Sequence, residues 1–494
     1  MKSTSWFTLE DCKMAFNLFC CVYGVGTLGM PGNFSRAGPA IAIVAMLFMA
    51  VANIYSSIVC SKIMLKAPRT VKTFGDLGEW CMGPVGRWII VFFHTAVCVL
   101  IPCLYLVLGG TFLPGLFPDT FSSEVWIGFM APDADLPDPN SEGGCWNRAR
   151  RILADVLGIA ILMRGMKGHP SVPKTGISFD QIAMTFGNLS LAYGAGIVIP
   201  ALQRQHSEPE RMPRVICVTL TIVSVFFITL ASTGYSAIGC QIAGKLLFSI
   251  FPHPSTGLAT LGFSPNKGWA ILAFLFMQLH ITVAFAVILH PALYVFERTL
   301  LGMHKRQAEN DQHIQDIEAA ADYVVADTPV ENTDKATPTA EDSKAAMGPK
   351  APRASKTGSV VSMVDIMREI DDEDAELAEY KGHEFKYIPM RIVLIDHFSD
   401  LADFVGASAI SVSCMIMPIL FYFKKLWTTL PLWEKAFGSL VVVVCAVLGV
   451  YVSIQTGKAL FKSGTPKPGA PVFEFCHKEH QFDVYYNATL AHSG

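Results

Sequence analysis

Residues 16–31 of the chain read FNLFCCVYGVGTLGMP, an apolar helical segment that three glycines interrupt before Pro31. Glycine costs about 1 kcal/mol in a helix interior and proline about 3 kcal/mol, so the sequence predicts a helix break here. Backbone groups freed at membrane depth are tolerated only beside protein or a wet cavity. Such a break at the membrane midplane is typical of substrate sites in secondary transporters. The alternative is a continuous helix whose glycines pack closely on a neighbouring helix.

The composition indicates an integral membrane protein with one large helical domain. Of the 494 residues, 52% are hydrophobic and 16% are charged, and the mean hydropathy is +0.41. Soluble domains carry about 25% charged residues. The net charge of −3 indicates neither nucleic acid nor an acidic partner. The 13 cysteines lie mostly in apolar runs, so we interpret them as small buried hydrophobic residues, not as zinc ligands or a disulfide framework.

Apolar runs of about 20 residues are long enough to cross a bilayer, and they divide the chain into spans. A shorter run at 152–166 carries Asp155 and is a marginal span. Residues 302–388 mix Pro, Ala, Thr and charged residues, which predicts a disordered cytoplasmic linker. The transmembrane domain would then occupy 1–301 and 389–460, followed by a C-terminal tail at 461–494. The predicted full spans are 12–34, 39–66, 87–116, 182–203, 213–240, 267–298, 401–426 and 431–460.

Lysine and arginine predict the orientation, because cytoplasmic loops carry an excess of both. Placing the basic loops at 62–87, 204–214 and 424–435 inside puts the N-terminus inside and the C-terminus outside. Asn487 then starts an outward-facing glycosylation sequon. The same scheme requires two further crossings, one between the third span and residue 181 and one near 389–400. Neither place offers a full-length apolar run, so these two crossings are truncated or missing.

Three motifs resemble those of one family of membrane proteins. Residues 16–31, with NL followed by GVGTLGMP, resemble the first helix of the amino acid/auxin permease family. Residues 186–203, with FGNLSLAYGAG and IPALQ, resemble its sixth helix. Residues 280–297, which begin HITVAFAV, resemble its eighth. The resemblance covers nearly the whole chain apart from the linker and the tail after Phe461.

The resemblance implies an all-α polytopic membrane protein with a fold like that of the bacterial leucine transporter. That fold has two inverted five-helix repeats and an eleventh helix. The unwound parts of helices one and six pair across a pseudo-twofold axis, and both glycine-rich breaks of this chain fall at those positions. The two defective crossings correspond to helices four and nine. An incomplete variant of such a transporter is therefore an alternative interpretation.

Backbone groups carry the chemistry of the predicted site. The N–H groups of residues 24–29 lie at a half-helix N-terminus and offer donors and a positive dipole end to a carboxylate. Unwound carbonyls near residues 188–193 would accept hydrogen bonds from an α-ammonium group. For each side chain, simple helix packing is the alternative. The candidate substrate-binding residues are Tyr23, Gly24, Val25, Gly26, Thr27, Leu28, Asn188, Ser190, Tyr193 and Phe285.

A coupling ion, H⁺ or Na⁺, is the only small partner expected besides an amino acid. In the sodium-coupled branch of the family, helix one supplies a second Asn where this chain has Cys20, and a thiol is a poor ligand for a hard cation. Proton coupling is therefore favoured. Intramembrane titratable residues are functional candidates, and here they are His94, Asp155, His280, His290 and Glu297. The ion-coupling candidates are Asn17, Cys20, Thr282 and Glu297.

The sequence favours a secondary active transporter that moves amino acids or related small zwitterions by alternating access around broken helices one and six. A non-transporting amino-acid sensor or scaffold, with residues 302–388 as its docking segment, is the alternative. We expect no enzyme, because no nucleophile–base set, metal cluster or phosphate loop stands out. The expected setting is the plasma membrane or a vacuolar or other internal membrane, and the oligomeric state is left open.

Overall fold

A computed structural model of the chain describes residues 6–68, 71, 73–117, 120–121, 125–126, 143–167, 173–242, 246–251, 257–296, 398–460, 471 and 473–482. The chain divides into two compact units, Met1–Tyr294 with Ile392–Gly494, and Val295–Arg391. The features described below lie within the first unit. The predicted linker at 302–388 and Asn487 fall outside the described residues. The described residues also cover only part of the chain between the third span and residue 181 and of the chain near 389–400, where helices four and nine are expected.

The described residues are mostly helical. The single β pairing among them is an isolated antiparallel bridge between Thr175 and Cys476. The α-helices are α1 (Leu9–Val22), α2 (Met30–Ala37), α3 (Pro39–Met64), α4 (Phe74–Met82), α5 (Pro84–Leu116), α6 (Gly143–Gly165), α7 (Phe179–Ala192), α8 (Ile199–Gln205), α9 (Met212–Ile238), α10 (Lys267–Phe296), α11 (Phe398–Val405), α12 (Met417–Leu426) and α13 (Leu432–Leu460).

Short elements of other helical types join several of these helices. The stretch Gly406–Ile416 between α11 and α12 is a π-helix of 11 residues. The 3₁₀ turns that matter here are Val25–Gly29, Gly196–Val198 and Gly239–Gln241. π-Helical stretches are rare and frequently occur at functional sites.

The helices long and apolar enough to cross a membrane number six among the described residues, or seven if the bent pair α1 and α2 is one span. This confirms the prediction of a multi-pass membrane protein. All but the last residue of the marginal run at 152–166 lies within α6, a helix of 23 residues. The six spans are Pro39–Met64, Pro84–Pro114, Phe179–Gln205, Pro209–Gln241, Asp400–Thr429 and Leu432–Leu460.

Helix α13 shows which surface faces lipid. Five of its apolar side chains, three or four residues apart along one face, are each more than half exposed. A soluble protein rarely leaves such a continuous apolar patch in water. The same pattern is expected of a helix at the edge of a bundle, with one face on the core and the other on acyl chains. The five residues are Leu440, Val443, Val447, Val450 and Ile454.

The structure corrects the interpretation of the cysteines. Cys240 and Cys476, 236 residues apart, form a disulfide, so these two are not buried thiols. Disulfides persist in oxidising compartments, so this bond agrees with a non-cytoplasmic position for the end of α9 and the C-terminal tail. Both had been assigned to that side from the basic loops. The prediction of buried thiols holds for Cys60, Cys81, Cys98, Cys103, Cys414 and Cys445, and not for the exposed Cys12, Cys21 and Cys217.

Candidate functional site

The first helix breaks where its glycines predict. Helix α1 ends at Val22, and its axis is bent by 57° relative to the following segment, Gly26–Ala37. Between them the chain turns at Tyr23 and Gly24, and then forms the 3₁₀ turn. The Thr27 N–H donates to the Gly24 carbonyl at 3.1 Å.

A second break follows α7. Helix α7 ends at Ala192, the chain turns through Tyr193–Ala195, and α8 resumes after the 3₁₀ turn Gly196–Val198. The Tyr193 carbonyl accepts from the Ala195 N–H at 2.6 Å and from the side-chain amide of Asn53 on α3. The carbonyls of the preceding two residues, Leu191 and Ala192, accept no backbone N–H from the residues that the structure describes.

The two breaks lie directly against each other. A Cβ atom placed on Gly26 would lie 2.6 Å from the Ala192 Cα, and one placed on Gly29 would overlap the Asn188 side chain. The Asn188 Oδ1 accepts from the Asn33 Nδ2 at 3.0 Å. The glycines therefore serve both predicted purposes, because they end the helix and also let the two backbones touch. Donors of the first break and acceptors of the second are consequently neighbours.

Aromatic rings line the same junction. Tyr23 and Tyr193, one from each break, are buried, and both rings pack on Phe227 of α9 at centroid distances of 5.8 and 5.1 Å. Tyr23 also stacks on Phe19 at 5.2 Å. Offset and edge-to-face aromatic pairs add about 0.5–1.5 kcal/mol beyond the area that they bury. Phe227 therefore fixes the two breaks to a common neighbour.

A buried carboxyl group reaches the first break from α6. The Asp155 Oδ2 accepts from the Thr27 hydroxyl at 3.1 Å, and the same hydroxyl lies 2.9 Å from the Gly24 carbonyl. Asp155 is 2% exposed. Intramembrane ionisable residues usually serve a function. Asp155 therefore contacts the first break through Thr27.

The π-helix closes the other side of the second break. A Cβ atom on Gly196 would lie 2.7 Å from the Cys414 Cα. A Cβ atom on Gly406 would overlap the Gly187 carbonyl oxygen, so only glycine fits there. Such contacts between small residues let helices approach to backbone distance in membranes. Backbone approach therefore holds the second break on two sides, at Gly26 and at the π-helix.

An ion pair joins α2, the half-helix after the first break, to α11. At the end of α2, the Arg36 guanidinium bonds Asp403 of α11 at 2.7 Å, and the two side chains are 12% and 2% exposed. Removing one partner of a buried pair typically costs about 3–5 kcal/mol, because the other charge is left uncompensated.

A larger network joins the inner half-helix to the start of α9. The Asp11 Oδ2 of α1 accepts a hydrogen bond from the Arg211 Nη2 at 2.6 Å. The Asp11 Oδ1 lies 2.9 Å from the His206 Nε2. The Trp6 carbonyl accepts from Arg214 at 2.7 Å. Asp11 also completes the capping box with Thr8 that starts α1. Ion pairs thus hold both half-helices of the first span, α1 through Asp11 and α2 through Arg36, on opposite sides of the break.

The predicted residues divide into two groups. At the junction lie Tyr23, Gly24, Gly26, Thr27, Asn188 and Tyr193, and Leu28 and Ser190 are fully buried beside it. Phe285 is buried on α10, but among the described residues it makes no ring contact with Tyr23 or Tyr193. The backbone of Val25 belongs to the 3₁₀ turn.

The described ion-coupling candidates lie on two helices, α1 and α10. Asn17 and Cys20 are half-buried on α1, and the Thr282 hydroxyl donates to the Gln278 carbonyl of its own helix at 3.0 Å. Glu297 lies outside the described residues. A group of three or more potential metal-ligating side chains does not occur in the described part of the chain.

Several functional contacts escaped the sequence reasoning. Asn53, Phe227 and the pair Arg36–Asp403 carry no local signal, because their partners are 34 to 367 residues away in the chain. Asp155 was singled out as a charge in an apolar run, but its partner Thr27 was not. A cavity of about 330 Å³ lies away from the junction, between α6 and residues 263–269, and includes none of the predicted site residues.

Comparisons with known proteins identify the family of the chain. The family model described as transmembrane amino acid transporter protein matches residues 8–132 and 156–323, which is more than half of the chain. The chain therefore belongs to this family of membrane proteins. The family consists of transporters, which confirms that the chain is not an enzyme and confirms the resemblance found in its motifs.

Similar proteins include three amino acid transporters. The chain is 24% identical over 263 residues to amino acid transporter AVT1I of Arabidopsis thaliana, a match that covers 49% of this chain and 63% of that protein. It is 20% identical to amino acid transporter ANT1 of Arabidopsis thaliana, with 89% and 90% covered. It is 23% identical to vacuolar amino acid transporter 4 of Saccharomyces cerevisiae, with 49% and 36% covered. For AVT1I and the yeast protein, the match spans less than two thirds of the relative.

A similar solved structure is the crystal structure of MhsT in complex with L-phenylalanine. It is 12% identical in sequence, and the superposition covers 92% of this chain and 100% of that one, with a TM-score of 0.40.

Proposed function

We propose that the protein is a secondary active transporter that moves amino acids across a membrane by alternating access around its two helix breaks. The observation that carries the proposal is the junction of Gly26 and Ala192, where the backbone donors of one break meet the backbone acceptors of the other. Discontinuous helices that meet at the midplane are the usual binding sites of such transporters. The names of the similar proteins support the same substrate class.

An amino acid presents a carboxylate and an ammonium group on one carbon, and the junction offers a partner for each. The N–H groups of Val25 and Gly26 open a 3₁₀ turn that leads into α2, so they lie at the positive end of a helix dipole. The carbonyls of Leu191 and Ala192 end α7, where the helix dipole is negative. The substrate would lie across the junction with its carboxylate on the first break.

The side chain of the substrate would face the aromatic rings of the junction. Tyr23, Tyr193 and Phe227 are buried and together form an apolar wall. Ser190 is fully buried, and its hydroxyl has no hydrogen-bond partner among the described residues. A substrate polar group that reached Ser190 would therefore satisfy a donor that the protein leaves open.

Alternating access would arise from the two tied half-helices of the first span. The pair Arg36–Asp403 on the outer side and the network around Asp11 on the inner side would open in turn. Each is a buried charge contact that has two discrete states, joined or apart, as a gate requires. The arrangement we propose is that of the bacterial leucine transporter, with helices four and nine truncated.

Proton coupling is the mode that we propose, with Asp155 as the titrating group. Its hydrogen bond to Thr27 acts on the first break directly, whereas the Thr282 hydroxyl is bonded within its own helix. A neutral Asp155 could donate to the break, while an ionised one could only accept. The host membrane would be the plasma membrane or a vacuolar membrane, since one similar protein is named as vacuolar.

Uptake of radiolabelled amino acids into proteoliposomes tests the proposal. We expect accumulation that rises with an imposed proton gradient, and we expect methyl esters of the same amino acids to compete poorly because they lack the anion. Binding without uptake would favour the non-transporting sensor, which the two short crossings in the sequence also support. Equal competition by esters and free acids would contradict the backbone carboxylate site.

A further inference from the structure

The C-terminal tail forms a closed loop that we call the C-terminal hook, residues Phe473–Gln481. Its two ends meet, because the Phe473 N–H donates to the Gln481 carbonyl at 2.9 Å. The Gln481 side chain donates back to the Cys476 carbonyl at 3.0 Å. The hook therefore has its own internal hydrogen bonds.

Three kinds of contact fix the hook to the outer end of the bundle. The disulfide joins Cys476 to Cys240, in the turn directly after α9. The Phe475 carbonyl accepts from the Gly176 N–H at 2.9 Å, just before α7. The Gln241 side chain donates to the His480 carbonyl at 3.1 Å. The hook is thus bound covalently to one helix of the candidate site and by hydrogen bonds to the approach to another.

The hook also reaches the half-helix that follows the first break. The Arg36 guanidinium lies over the Phe475 ring, 5.4 Å from its centroid. The same guanidinium bonds Asp403, and the carboxylates of Glu474 and Asp400 act on it electrostatically. One residue earlier, the Ser35 hydroxyl donates to the Gly239 carbonyl at 3.0 Å, beside the disulfide. Arg36 is therefore held between α11 and the hook.

We propose that the C-terminal hook is part of the outer gate, with Phe475 as the positioning residue that holds Arg36 on Asp403. This proposal rests on the proposed transport function. For α2 to swing away from α11, Arg36 must leave both the carboxylate and the ring. The disulfide keeps the ring in place while α2 moves, so the hook supplies a fixed point against which the half-helix closes.

The contact between Arg36 and Phe475 determines how much the exchange of residues 30–37 should change when the ring is removed. A cation over an aromatic ring contributes enough, when partly desolvated, to change an opening equilibrium by about 2- to 30-fold. Phe475→Ala should therefore raise hydrogen–deuterium exchange of residues 30–37 by a factor in that range. Cys240→Ser combined with Cys476→Ser should raise exchange of the hook itself by more than about tenfold, because a disulfide constrains strongly.

Matched controls are present in the same chain. Phe482 follows the hook and is 57% exposed, so Phe482→Ala removes the same type of side chain without touching Arg36. Cys12 is an exposed free thiol on α1, so Cys12→Ser is the control for loss of a cysteine. Exchange is measured on the full-length protein in lipid nanodiscs, and uptake is measured on the same variants in proteoliposomes.

The results separate the hook from the transport function. Faster exchange of residues 30–37 in Phe475→Ala than in Phe482→Ala, with an altered uptake rate, supports the proposal. Equal exchange in these two variants overturns it, and so does unchanged protection of the hook in the double cysteine variant. An altered exchange pattern with an unaltered uptake rate also overturns the gating role. If the parent protein takes up no amino acid, the proposed transport function fails, whatever the exchange shows.

Discussion

At the residue scale, Gly26 sits where two backbones touch. A Cβ at this position would lie 2.6 Å from the Ala192 Cα and 3.0 Å from the Ala192 N, and both are backbone atoms that cannot turn aside. Gly26→Ala should therefore lower the stability of the protein by about 1–3 kcal/mol, the usual cost of overpacking a core. The measurement is thermal unfolding of the purified protein in detergent.

Gly24 is the matched control for Gly26. A Cβ there would have the Val22 carbonyl oxygen at 4.0 Å as its nearest neighbour, so Gly24→Ala fits without a clash. We expect its stability to change by less than about 0.5 kcal/mol. Equal melting temperatures for the two variants would contradict the close approach of the two breaks.

Asp155 supports a second prediction at this scale. Asp155→Asn keeps the size of the side chain and a hydrogen bond to Thr27 but removes the group that titrates. Uptake driven by a proton gradient should be lost, whereas exchange of labelled for unlabelled amino acid at equal pH should persist. Asp180→Asn is the control, since Asp180 pairs with Tyr451 on the exposed surface. Proton-driven accumulation by Asp155→Asn would exclude this residue as the proton carrier.

At the scale of elements, the pair Arg36–Asp403 connects α2 to α11 across a buried contact. Asp403→Leu leaves the guanidinium without its closest carboxylate, and we expect a loss of about 3 kcal/mol or more. Adding Arg36→Met should recover at least half of that loss, because the double variant buries no lone charge. Arg87→Gln breaks a pair with Glu79 whose side chains are 48% and 45% exposed, and should cost at most about 1 kcal/mol. Additive losses in the double variant would argue against a coupled pair.

The sequence predicted the helix breaks well and the contacts between elements poorly, for a physical reason. A glycine or proline weakens a helix through its own backbone, so the breaks after Val22 and Ala192 can be read from the nearest residues. The partners of Arg36 and Cys240 are chosen by packing over 367 and 236 residues of chain, and no local pattern records them. The same limit explains why Asp155 was recognised as unusual while Thr27 was not recognised as its partner.

At the scale of the whole molecule, the disulfide and the basic loops define the same sides of the membrane. Residues 204–214 and the Asp11 network lie at one end of the bundle, and Cys240 with the C-terminal hook lies at the other. We therefore expect Asn487 to be glycosylated in a eukaryotic host and the linker at 302–388 to be cut by protease only from the cytoplasmic side. Protease cleavage of that linker in intact cells would contradict the proposed orientation.

The bond between Cys240 and Cys476 also turns about half of the polypeptide into a ring that passes through the membrane. Every residue from α10 to α13, and the linker between them, belongs to this ring. A protease that nicks the linker once therefore opens the ring but releases no fragment. On a gel without reductant the nicked protein should migrate as one full-mass species, and with reductant it should separate into two pieces. Cutting the backbone in the linker therefore does not release the last helices until the disulfide is also reduced.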